Sequence, residues 1–468
     1  MSERLSALDT MFLDLEQVDD GATMHFGAAM IFDPLPGGGT PGIAQVREHI
    51  DRRLQGHPHY RMQLSRPRAS RLSWTTWEPA PNFDIAAHVG HATLPAPGGD
   101  LELHEWFGDF LSHPVDRHRP LWETVLLDGL DGDRWALATK THHCLVDGMG
   151  SVDVGETLLD AERSPKRHRE PPHWTIPHED KTALPGSHLV HTVKAGATTL
   201  LHPRELLGQA VGIADLVVHE ELIAAPHCSL NGPLGPTRSY IAVPFSLSEL
   251  KAIKNVLGGT INDLVLAISA GALRRLLLSR GEVPPAGGLR AQIPVNVRTR
   301  EHERGSGNVL TSLFVELPVA ESDPLLRHQA LVARAQSLKS SAQPQGGKAL
   351  IELAGLAPPL VGEILGRAMF GSDRVFNLTI TNVRASAKPQ YAFGARLRSV
   401  LPYVPLFAGH TVGIAVVSYA GGLVFGLGAD RTQTPDLEVL AEGIETAFGE
   451  LRRAASHEAR GFAIRRSR

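Results

Sequence analysis

The stretch Trp135-Ala-Leu-Ala-Thr-Lys-Thr-His-His-Cys-Leu-Val-Asp-Gly148 reads as a strand running into a turn. Trp135, Leu137 and Thr139 alternate with Ala136, Ala138 and Lys140, and a period of two predicts a half-buried strand. His142 and His143 come at its end, where side chains reach a cleft. Asp147 follows, and Gly148 after it tolerates the backbone angles of a sharp turn. An imidazole, with an ordinary pKa of about 6.5, takes and returns a proton near neutral pH. Asp147 is placed to orient that imidazole or to brace the loop. With 23 His in the chain a His pair is not decisive, and on the pattern alone catalysis and a structural loop both stand open. Neither His-Glu-x-x-His nor Cys-x-x-Cys accompanies the pair, so no metal is expected.

The rest of the composition sets the class. At 468 residues the chain is long enough for two domains with sizeable cores. A net charge of -4, with 21% charged residues, gives no footprint for nucleic acid. Two Cys, Cys144 and Cys228, make no disulfide framework and fit a reducing cytoplasm. No basic segment followed by an apolar run opens the chain, so a signal peptide is not expected. No uninterrupted apolar stretch has the length of a membrane-spanning helix either.

Along the chain, Met24 to Phe32 predicts a buried strand and Ile43 to Leu54 a helix with Ile43, Val46, Ile50 and Leu54 on one face. Leu72 to Trp77 predicts a short strand, Leu101 to Phe110 a helix, and Pro120-Leu-Trp-Glu123 leads into another strand. Trp122 reads as a core anchor and His88 as a packing residue. Residues 162–185 are rich in Pro, His, Lys and Arg and read as a linker; residues 189–225 read as two helices between the halves. A second unit begins near Arg238. Thr260 has the character of an N-cap, with Asp263 three residues on, so Asn262 and Asp263 are read either as a helix start or as site residues. Phe376 to Asn382 alternates, placing Asn377, Thr379 and Thr381 on one face. Alternating strands and helices in both halves predict an α/β or α+β fold: residues 1–185, a helical connection over 186–237, and residues 238–468.

His142-His143-Cys-Leu-Val-Asp147-Gly148 resembles the signature of the bacterial wax ester synthase/acyl-CoA:diacylglycerol acyltransferase family, one branch of the His-x-x-x-Asp, coenzyme A-dependent acyltransferases. The likeness extends through Leu5-Ser-Ala-Leu-Asp9-Thr-Met-Phe12-Leu13, Pro120-Leu-Trp-Glu123, Ser229-Leu-Asn-Gly-Pro233 and Thr260-Ile-Asn-Asp263. The resemblance implies two chloramphenicol-acetyltransferase-like domains of mixed sheet and helices, with the active-site channel between them. It implies acyl transfer from acyl-CoA to a hydroxyl acceptor, either diacylglycerol or a long-chain alcohol, with His143 as general base. It implies that Asp147 joins His143 as a catalytic residue, with supporting roles for His142, Gly148, Asn262 and Asp263, and oxyanion or substrate contacts from Thr379, Thr381 and Asn308. Acyl-CoA is then a substrate, and no cofactor is expected. A condensation-type enzyme acting on carrier-bound substrates and a silent lipid-binding homologue are the alternatives. Residues 354–370, apolar apart from Glu363 and Arg367, read either as a core helix or as a contact with a membrane or lipid-droplet surface.

Overall fold

The computed structural model describes residues 3–5, 7–16, 19, 21–65, 75–146, 158–164, 224–296, 310–340 and 374–466. The expected motif residues Asp147, Gly148 and Asn308 lie outside these, as do most of the linker expected over 162–185 and of the helices expected over 189–225, and the apolar stretch 354–370.

Elements in the first half are β1 (Glu3–Arg4), α1 (Ala7–Leu15), β2 (His25–Phe32), α2 (Ile43–Leu54), β3 (Met62–Leu64) and β4 (Thr76–Pro79). They continue with β5 (Val89–Thr93), α3 (Asp100–Ser112), β6 (Trp122–Asp128), β7 (Trp135–His142) and α4 (His143–Val146). Of the strand expected over Leu72 to Trp77, the first three residues lie outside the described ones, and β4 begins only at Thr76 and runs on to Pro79, which has no N–H to continue a ladder. The second half carries β8 (Arg238–Ser246), α5 (Leu247–Leu257), α6 (Ile261–Ser279), β9 (Leu289–Asn296), β10 (Leu310–Leu317) and α7 (Pro324–Ser340). It closes with β11 (Leu378–Arg384), β12 (Tyr391–Ala392), β13 (Ala395–Tyr403), β14 (Val412–Tyr419), β15 (Gly422–Asp430) and α8 (Leu437–Arg466).

Two six-stranded mixed sheets dominate, ordered β12-β13-β2-β7-β6-β5 and β10-β9-β11-β14-β15-β8, beside a small sheet β1-β4-β3. The first sheet is antiparallel except where β5 runs parallel to β6; in the second, β11 runs parallel to both of its neighbours. The mixed α/β class read from the sequence is the class observed. The two halves are nevertheless interleaved, because β12 and β13 come from the second half and complete the first sheet alongside β2.

One expectation is corrected. The alternation in β7 predicted a strand with one solvated face, yet every residue from Trp135 to His142 is buried. Trp135 and Leu137 enter the core beside Phe32 and Trp122. Ala136 and Ala138 are covered by Phe107 and Leu111 of α3 and by Tyr403 of β13. Lys140 reaches buried carbonyls instead of water, with its Nζ 3.0 Å from Phe110 O and 2.9 Å from His113 O. Small side chains on that face let a helix and a second sheet approach, which hydrophobic periodicity alone does not register.

The halves meet where β13 crosses β14 and β15. A Cβ on Gly426 would lie 1.9 Å from Pro402 O, and one on Gly428 would lie 2.6 Å from the Tyr403 ring. Tyr240 Oη donates to Pro402 O at 3.1 Å across the same seam. Arg238, 1% exposed, ties the seam to the N-terminal loop. Its guanidinium donates to Gly21 O and, at 2.7 Å, to Gly235 O, with Asp430 Oδ2 at 3.5 Å. A second core lies between the second sheet and helices α5, α6 and α8, with Leu264, Ile268, Leu276, Ile444 and Leu451 among its members.

Candidate active site

β7 runs in the middle of the first sheet, between β2 and β6, and delivers His142 to its end. His143 opens α4, and its backbone N–H donates to Met24 O at 2.8 Å. The His143 ring stacks on Phe12 of α1 at 4.2 Å and meets the edge of Phe26 at 5.7 Å. Phe12 and Met24 belong to an apolar cluster with Leu234, Phe376, Leu406 and Phe407 of the second half. The imidazole thus stands against a hydrophobic wall to which both halves contribute.

His142 faces a different set of partners. Its Nδ1 accepts the Cys144 N–H at 3.2 Å and lies 2.9 Å from Cys144 Sγ. Its Nε2 lies 3.2 Å from Glu16 Oε1, an ion-pair distance off the line of a hydrogen bond. Glu16 Oε1 also accepts the Met24 N–H at 2.7 Å, and Glu16 Oε2 accepts from Arg117 Nε at 3.1 Å. Burial acts to raise the Glu16 pKa, but the adjacent His142, Arg117 and the Met24 N–H outweigh it and hold the carboxyl well below the usual range. His25, cross-strand neighbour of His142, donates from Nε2 to Leu111 O at 3.0 Å. Complete burial, with Lys140 nearby, pushes the His25 pKa down to about 3, so this ring is neutral at physiological pH.

The expected residues of the second half gather on β11 and the start of α6. Asp263 Oδ2 accepts from both Thr260 N and Thr260 Oγ1 at 2.8 Å, while Thr260 Oγ1 accepts the Asp263 N–H at 3.2 Å. That reciprocal pairing is a capping box, so the helix-start reading of Asp263 is the arrangement observed. Asn262 Oδ1 accepts from Asn382 Nδ2 at 3.2 Å, joining α6 to the end of β11. Thr379 is buried and donates to Gln292 Oε1 at 2.8 Å, whereas Thr381 is half-buried. Asn262 and Asp263 thus begin α6, Thr379 and Thr381 lie on β11, and His142 and His143 stand where β7 of the first sheet passes into α4.

A scan of family models covers most of the chain. Residues 5–265 match the wax ester synthase/diacylglycerol acyltransferase catalytic domain, and residues 306–452 match the C-terminal domain of the same enzymes. The chain belongs to the wax ester synthase/diacylglycerol acyltransferase family. A probable diacylglycerol O-acyltransferase of Mycobacterium tuberculosis is 30% identical over 456 residues, covering 95% of this chain and 98% of its own. A putative one from the same species is 31% identical over 465 residues, covering 96% and 99%. The solved wax ester synthase/diacylglycerol acyltransferase of Marinobacter aquaeolei VT8 superposes with a TM-score of 0.68 at 25% identity, over 97% of this chain and all of that one. A condensation domain of the calcium-dependent antibiotic synthetase shares the fold, with a TM-score of 0.61 at 16% identity over 97% and 96% of the two chains.

Within this family member, two residues noted in the sequence are structural. Trp122 is 1% exposed and its Nε1 donates to Tyr60 O at 2.8 Å. His88 stacks on Trp122 at 4.7 Å, with Nδ1 2.9 Å from Trp122 O. Glu16 was missed. Its one sequence signal is position: a carboxylate at the C-terminal end of α1, where the helix dipole disfavours negative charge. Among the described residues, no group of three or more His, Cys, Asp and Glu is arranged to hold a metal.

Proposed function

We propose that this acyltransferase moves an acyl group from acyl-CoA to the hydroxyl of a lipid alcohol, with His143 as general base. The observation that carries the reading is the placement of His143, fixed by its backbone to Met24 and by its ring to Phe12, beside an apolar cluster drawn from both halves. Such a wall suits an acyl chain, because burying methylenes is favourable by about 0.8 kcal/mol each. The acceptor O–H gives its proton to His143 as its oxygen bonds to the thioester carbonyl carbon. Donors in the cleft stabilise the oxyanion that forms. As the carbonyl re-forms, the C–S bond breaks and His143 protonates the departing thiolate, giving ester and free CoA. No covalent acyl-enzyme and no cofactor takes part.

Asp147 lies outside the described residues and keeps only the role that the family motif implies; Thr381 is the better oxyanion candidate of its pair, since the Thr379 hydroxyl is spent on Gln292. Diacylglycerol is the first acceptor to test, because the mycobacterial relatives are named for it; a long-chain alcohol is the second, since the Marinobacter enzyme is also named a wax ester synthase. Among the described residues no single helix is long and apolar enough to cross a membrane. Reversible attachment to a membrane or lipid-droplet surface would bring the enzyme to such acceptors. Purified protein given one long-chain acyl-CoA should release CoA thiol only when an acceptor is added. Binding without thiol release with either acceptor would instead mark a silent lipid-binding homologue.

A further inference from the structure

We infer that Glu16 is a positioning residue for the reaction: its carboxylate selects the tautomer of His142, which in turn caps the short helix that carries His143. The inference rests on the reading of His143 as base. It begins with a proton count. The Cys144 N–H donates to His142 Nδ1 at 3.2 Å, and the Cys144 thiol, its Sγ 2.9 Å away, can donate to the same nitrogen, an arrangement that fits an Nδ1 without a proton. The ring proton therefore sits on Nε2, the nitrogen facing Glu16 Oε1 at 3.2 Å. Because the N–H is off line with that oxygen, the negative charge of Glu16, more than a linear hydrogen bond, favours this tautomer. The imidazole then serves as an N-cap, a task usually given to Ser, Thr, Asp or Asn. It satisfies the N–H of the second residue of α4, next to His143.

The same carboxylate reaches His143 by a second route. Glu16 Oε1 accepts the Met24 N–H at 2.7 Å, and Met24 O accepts the His143 N–H at 2.8 Å. Arg117 fixes the other carboxylate oxygen and also donates to Leu13 O at 3.2 Å, anchoring the end of α1. Phe12, one turn back on α1, stacks on the His143 ring. The contacts of Glu16 are thus with His142, Met24 and Arg117, and both motif histidines are held through it.

Four proteins test the inference: wild type, Glu16→Gln, His142→Asn and the double variant, each assayed for CoA release. Glu16→Gln keeps the shape and removes the charge, and kcat should fall about 10- to 100-fold, as for lost support groups in metal sites. KM for acyl-CoA should stay unchanged, since no substrate contact is lost. Asparagine at 142 caps the Cys144 N–H without any tautomer to select, and glutamine at 16 keeps an oxygen for the Met24 N–H, so adding Glu16→Gln to His142→Asn should cost little more. Nitrogen-15 NMR of His-labelled protein gives a readout apart from activity. The His142 Nδ1 signal, assigned by its loss in His142→Asn, should be that of an unprotonated nitrogen in wild type and should move toward the protonated form in Glu16→Gln. Full kcat in Glu16→Gln, multiplying effects in the double variant, or a protonated Nδ1 in wild type would each overturn the inference. The last of these needs no folded Glu16 variant. Full activity of His143→Ala would remove the catalytic reading beneath it while leaving the tautomer result intact, so the two failures are distinguishable.

Discussion

Replacing Gly426 by Ala should pry apart the seam between the two sheets. The new Cβ would lie 1.9 Å from Pro402 O and 2.7 Å from Tyr240 Oη. Cβ contacts essentially never fall below 3.0 Å, so β15 and β13 must separate by at least 1.1 Å (3.0 minus 1.9). Overpacking of that kind costs about 1–3 kcal/mol. The same displacement stretches the Tyr240 to Pro402 hydrogen bond, now 3.1 Å, and leaves a buried hydroxyl without its partner. That adds about 1–3 kcal/mol. Together the penalty is about 2–6 kcal/mol, which in a unit of this size lowers the melting temperature by roughly 5–20 °C. Turnover should fall as well, because β13 borders β2. The residue just before β2 is Met24, whose carbonyl holds His143. Gly422→Ala, on the same strand, is the control: its Cβ meets Tyr419 O at 3.4 Å, an ordinary contact. Thermal unfolding followed by circular dichroism, with CoA release on the same samples, makes the comparison. If Gly426→Ala melts together with Gly422→Ala, the close approach of the sheets is not what holds the halves in register.

Acid should destabilise the protein through His25. Its folded pKa of about 3 lies below the ordinary 6.5, so the unfolded chain binds more protons and stability falls as pH drops through that interval. His25→Gln, which keeps a donor for Leu111 O, should flatten the dependence of melting temperature on pH between those values; an unchanged slope would exonerate His25. Asp263→Ala should lose about 1–2 kcal/mol in urea unfolding through the lost cap, while Asp263→Asn, still an acceptor, keeps most of it. Equal losses in both would show that the carboxylate charge matters beyond capping.

The central strand, the helix over Ile43 to Leu54 and the cap at Thr260 were legible because each rests on local periodicity or a local side-chain pair. The crossing of β13 to β2 was not. Leu397, Leu401 and Tyr403 alternate as any strand does, and nothing in that alternation names a partner almost four hundred residues earlier, such as Phe32 for Leu397. The buried state of Lys140 was illegible too, because the carbonyls that receive it come from the end of α3 and the residues after it. His142 and His143 were found as a pair, and the resemblance assigned their roles, but the partners of each ring needed coordinates. One ring stacks on Phe12 beside the shared apolar cluster, and the other turns to Glu16 and Cys144.

The central claim is that His143 moves the proton. Purified His143→Ala, compared with wild type at saturating long-chain acyl-CoA and diacylglycerol or long-chain alcohol, should retain its circular dichroism and melting temperature. Its rate of CoA release should drop by about 10²- to 10⁴-fold, the range for a lost acid–base group. A folded His143→Ala enzyme turning over near the wild-type rate would contradict the account.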